Sequence, residues 1–60
     1  MSTVYNPEAD IMAQIERLEH EARDIRRRIE HVSTPKDRQV LDRQLKEIEQ
    51  EVKVLRGKLP

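Results

Sequence analysis

Sixty residues, 40% of them charged and 2% aromatic, make at most one small domain, with a composition that suits long solvated helices or coiled coils and suits a β-sandwich badly. Twelve basic and twelve acidic side chains cancel, so no net field draws the molecule toward nucleic acid or an anionic membrane, and any such attraction is local. The absence of Cys excludes disulfides and thiolate metal sites. No apolar run approaches the roughly 18 residues of a membrane span, so the expected location is the cytoplasm.

Residues 1–6 read as an N-terminal tail, which holds the single aromatic residue, Tyr5, ahead of one domain at 7–60. Asn6 is a good N-cap. Pro7 suits the first helical position, where its missing N–H costs nothing, and Glu8 and Asp10 place negative charge where the helix dipole favours it. Apolar residues then recur at Ile11, Ile15, Leu18, Ala22, Ile25, Ile29 and Val32, with spacings that alternate four and three. That heptad pattern predicts a helix over about 7–32. Ala22 is the one small member. It reads as a small residue packed opposite a large one, or as a point of close approach for a partner helix.

The charges of this first helix fall in two blocks, with Glu16, Glu19 and Glu21 ahead of Arg26, Arg27 and Arg28. Neighbours four apart predict the ion pairs Glu19–Arg23, Asp24–Arg28 and Arg26–Glu30 along the helix surface. The competing reading of Arg23 to Arg28 is a phosphate-binding patch, but the chain lacks the interleaved aromatics on which single strands stack. His20 and His31, about 16 Å apart along a helix axis, cannot share a metal ion.

The stretch VSTPKDRQV, Val32 to Val40, interrupts the pattern. A continuous helix would carry the apolar series from Val32 to positions 39 and 46, but it resumes at Leu41, Leu45, Ile48, Val52 and Leu55. An offset of two swings the apolar stripe about half-way round the helix, more than local over- or unwinding absorbs. Pro35 also drives Thr34 out of the α region. Thr34 as N-cap, Pro35 at the first position and Asp37 three residues after the cap predict a second helix over 35–56, with a turn at 33–34. Arg38 takes an inward heptad position beside that turn, where its long stem can cover Val32. Gly57 reads as the C-cap, flanked by Arg56 and Lys58, and 57–60 as a terminal cap segment.

So short a link makes the two helices antiparallel neighbours. The pairs Ile29/Leu41, Ile25/Leu45, Ala22/Ile48, Leu18/Val52 and Ile15/Leu55 then face one another, their numbers all summing to 70. The expected fold class is all-α, an antiparallel two-helix hairpin of coiled-coil heptads. A lone hairpin this small is marginal, so dimerisation into a four-helix bundle is expected. In that dimer the two first helices would lie adjacent and antiparallel, with Glu19 near Arg28 and Glu21 near Arg26 of the second copy, relieving the repulsion of Glu19 by Glu49 and of Glu21 by Glu51, and these charges would set its orientation. In architecture alone, such a hairpin resembles the RNA-binding four-helix-bundle modulators of plasmid copy number.

No catalytic constellation, cofactor site or metal site is expected, and a single glycine excludes a phosphate-cradling loop. The leading reading is a non-enzymatic interaction module, an adaptor, inhibitor or assembly subunit, that forms a homodimer through its apolar seam and presents charge to a protein partner. The second is a small RNA- or DNA-binding regulator that uses the Arg23 to Arg28 face of a dimer.

Overall fold

The computed structural model describes residues 6–60, so the expected tail lies outside the described residues except for Asn6. Two helices, α1 (Pro7–His31) and α2 (Pro35–Arg56), pack against each other as a hairpin. Both start as their caps dictate. The Asn6 side chain accepts from the backbone N–H groups of Glu8 and Ala9, at 3.1 and 3.3 Å, and the Thr34 hydroxyl accepts from that of Asp37, at 3.4 Å. Each thereby satisfies donors that the first helical turn leaves without partners.

α1 stops one residue before the expected boundary. Val32 is extended (φ −76°, ψ 134°), and its N–H reaches back to the Ile29 carbonyl at 3.4 Å. With Pro35 three residues ahead, the chain straightens early and enters the turn in β geometry, as Thr34 does (φ −105°, ψ 137°).

The other end departs further from expectation. Gly57 is the C-cap, but with φ −65° and ψ −16° it stays right-handed and makes no use of glycine's freedom at positive φ. The chain therefore winds on in tighter turns, with Lys58 N–H donating to the Leu55 carbonyl at 3.0 Å and Leu59 N–H to that of Arg56 at 3.1 Å. This carries Leu59 back onto the apolar face, where it packs against Ile15, Val52 and Leu55.

The molecule measures 54 × 22 × 12 Å, a plank one helix thick. Among the described residues five are buried, Ile15, Ala22, Ile25, Val52 and Leu55, and each is one of the apolar positions named from the sequence. The others, Ile11, Leu18, Ile29, Val32, Leu41, Leu45 and Ile48, are only half-buried, because two helices can cover an apolar stripe along its centre but not at its edges. Packing is also uneven lengthwise. Ile15, Val52 and Leu55 form a cluster joined by Ile11, Leu18, Ile48 and Leu59 at the end away from the turn, whereas Ile29, Val32, Leu41 and Leu45, beside the turn, stay half-wet. Among the described residues no helix is long and apolar enough to cross a membrane.

Candidate interaction surface

The two long-range ion pairs define one flank of the hairpin. Arg56 donates to Glu19 at 2.8 Å, and Arg26 donates to Glu49 at 3.1 Å. In each pair the residue numbers sum to 75, five more than for the facing apolar pairs. That offset is geometric. In an antiparallel pair, the position just beyond the seam on one helix meets the equivalent position of its neighbour, so lateral contacts run in a different register from central ones.

The offset corrects the expected electrostatics of α1. Among the described residues Glu19–Arg23, Asp24–Arg28 and Arg26–Glu30 do not form; Glu19 and Arg26 turn across the seam, and Asp24 instead has His20 Nδ1 3.6 Å from its Oδ2. Nor does Glu19 lie unrelieved beside Glu49, since each acid holds a base from the opposite helix. Glu21, Arg27 and Arg28 are exposed. Arg28 stands in the last turn of α1, where the helix dipole favours positive charge. Arg38 is exposed beside the turn, and Val32 is half-buried.

Between and beyond the ion pairs the same flank is hollow. A cavity of about 450 Å³ opens over Ala22, Ile48 and Val52, with Arg23 and Lys53 joining the two ion pairs at its rim. Ala22 is the cause: buried at 4% exposure and ending at Cβ, it leaves open space beside Ile48, which stays half-buried, while Val52 is itself buried. A second cavity of about 350 Å³ continues toward the open end between Ile15, Met12 and Leu59. Glu19 and Arg56 line both. Together they form a groove with an apolar floor and charged walls, with the Glu19–Arg56 pair between its two halves and the Arg26–Glu49 pair at the rim of the larger. Met12, 54% exposed, stands at its outer end.

Periodicity identified the floor of this groove but not its walls. The block pattern of α1 marks Glu19 and Arg26 as partner-facing charges but not their mates Glu49 and Arg56, because a heptad assigns a side chain to a flank without saying which neighbour it meets there. The signal was available in the numbering, since 19 with 56 and 26 with 49 share one sum. Among the described residues no cluster of His, Asp or Glu is arranged to hold a metal ion. Comparison of the chain with protein-family models, with curated proteins and with solved structures gives no match.

Proposed function

We propose that this chain is a non-enzymatic helical interaction module that associates with itself, with the grooved flank as its working surface. The supporting observation is the hollow flank over Ile15, Ala22, Ile48 and Val52, with Ile48 only half-buried and Met12 exposed along it, on a hairpin only 12 Å thick. Two helices alone leave the edges of the apolar stripe in water, here half-buried Ile48 and Leu59 and exposed Met12, and a further pair of helices laid along them removes apolar surface from water, the dominant favourable term in association. A four-helix bundle formed from two copies is the simplest closed solution. Sedimentation equilibrium tests the reading: the wild-type chain at about 100 μM sediments as a dimer, and a monomer at that concentration removes it.

Nucleic-acid binding is the second reading, favoured by one observation: Arg23, Arg26, Lys53 and Arg56 stand around one cavity. Two of these four already hold carboxylates, Arg26 with Glu49 and Arg56 with Glu19, so a phosphate must displace an acid to reach them. Binding to duplex DNA or RNA is accordingly expected to be weak at about 150 mM salt. Submicromolar binding there, lost in Arg26→Ala with Arg27→Ala, reverses the order of the two readings.

A further inference from the structure

We propose that the groove is occupied by the groove of a second copy about a two-fold axis parallel to the long axis of the hairpin, so that the two turns lie at the same end. This rests on the self-association reading above and adds which faces meet and in which direction.

The argument starts from the two ion pairs. Along the flank, α1 presents Glu19 and then Arg26, and α2 presents Glu49 and then Arg56, with Glu19 level with Arg56 and Arg26 level with Glu49. A two-fold along the hairpin lays α1 of one copy against α2 of the other at equal height. Glu19 then has Arg56 of its own chain on one side and Arg56 of the second copy on the other. The same holds for Arg26 and Glu49. Each level closes into a ring of four side chains with alternating signs, and every acid has two bases. Half of each ring is already built in the single chain, with side chains 44–60% exposed and therefore accessible to a second partner.

The apolar surface sets the direction. A two-fold perpendicular to the long axis, passing near Ala22, also alternates the charges, but it carries Met12 to the level of Ser33 and Asp42 of the second copy, beside half-buried Val32 and Leu41 and away from the exposed Met12 and the half-buried Leu59 of that copy. The parallel axis instead brings the open ends together, so that Met12 and Leu59 of both copies cover one another across the outer part of the groove. It also sets Glu30 at the level of Lys46 of the second copy. The broad face, within extents of 54 × 22 Å, accommodates the roughly 800 Å² per partner of a standard-size interface. Ion pairs enclosed in this way select an arrangement more than they strengthen it, because their desolvation offsets much of their attraction.

The test is a charge exchange that leaves each hairpin internally paired. In Glu19→Arg with Arg56→Glu the pair persists with reversed signs. With the axis parallel, this variant dimerises within about threefold of wild type, because its ring still alternates, but it does not mix with wild type, where the ring would set acid on acid and base on base. The two chains have identical mass, so ¹⁵N-labelled wild type and native mass spectrometry count the mixed dimer, which is expected at least about fivefold below its statistical share. Circular dichroism confirms that the variant is equally helical. The chain has no Cys, so Ser33→Cys carries one spin label at each turn. Labels at one end of a bundle whose neighbouring axes are about 8–10 Å apart lie within about 25 Å of each other, and turns at opposite ends lie more than about 30 Å apart.

A monomeric wild type overturns the self-association reading and this arrangement together. A dimer with a label separation above 30 Å, mixing at the statistical share, or at least tenfold weakening of the exchanged homodimer overturns the arrangement alone.

Discussion

Replacing Ala22 with Leu separates the stability of the hairpin from its proposed association. The new side chain adds three carbons at a position that is 4% exposed and opens on a cavity of about 450 Å³ floored by Ile48 and Val52. Each fully buried methylene contributes about 0.8 kcal/mol, and a side chain lying in an open groove realises about half of that. The isolated hairpin is therefore expected to gain about 1 kcal/mol, with no loss from helix propensity, since Leu ranks just below Ala. In the proposed dimer, raising the floor removes the space that a second copy needs, and an overfilled contact of this kind costs about 1–3 kcal/mol, about a fivefold or greater weakening. Thermal unfolding followed by circular dichroism at low protein concentration reads the first effect, and sedimentation equilibrium the second. The reasoning fails if Ala22→Leu melts below wild type under monomeric conditions, which would mean that the cavity does not accept the side chain. It fails equally if the variant dimerises as tightly as wild type.

Four further outcomes follow from the packing and the caps. Ile15→Ala is expected to cost about 2–3 kcal/mol in chemical denaturation, the lower part of the range for such truncations because one side of Ile15 already opens on the groove. Ile29→Ala, at a half-buried site beside the turn, is expected to cost about half as much in the same titration. Thr34→Ala removes one long capping bond of 3.4 Å and lowers unfolding free energy by about 0.5–1 kcal/mol; a loss above that range would assign Thr34 a second role in the turn. Arg56→Ala breaks an exposed pair and costs about 0.2–1 kcal/mol, a difference that shrinks as salt is raised.

Much of the hairpin is legible before any coordinates, and for physical reasons. Pro35 and the two-residue slip in the apolar series each break a continuous helix, and they do so at the same place. Asn6-Pro7 and Thr34-Pro35 supply a cap followed by the residue that tolerates a missing donor, so both helix starts coincide with expectation. Position 22 stands out by size alone. What periodicity does not carry is lateral geometry. The reach of an Arg across the seam depends on which side chain stands at the same height on the neighbouring helix, and that height follows from the flank register and not from the facing pairs. Leu59 shows a second limit. Gly57 signals termination, and whether the chain then turns away or winds on depends on the sign of φ, for which glycine has little preference of its own.

The uneven packing along the plank has a consequence for how the molecule comes apart. The buried cluster sits where the two helices are furthest apart in sequence: Glu19 and Arg56, beside it, are 37 residues apart, and Arg26 and Glu49, nearer the turn, are 23 apart. Closing the longer loop costs only about 0.4 kcal/mol more in chain entropy than closing the shorter one, since that cost grows with the logarithm of length. A half-zipped hairpin, joined at the turn and open at the cluster, would thus bear most of the closure cost with few of the buried contacts that offset it. Opening that begins at the free ends releases the most stabilising layer first, and the half-wet layers beside the turn cannot hold the remainder. The clasp lies at the mouth of the hairpin and not at its hinge, so amides in the middle turns of both helices should exchange with solvent at a common rate, set by the opening of the whole molecule.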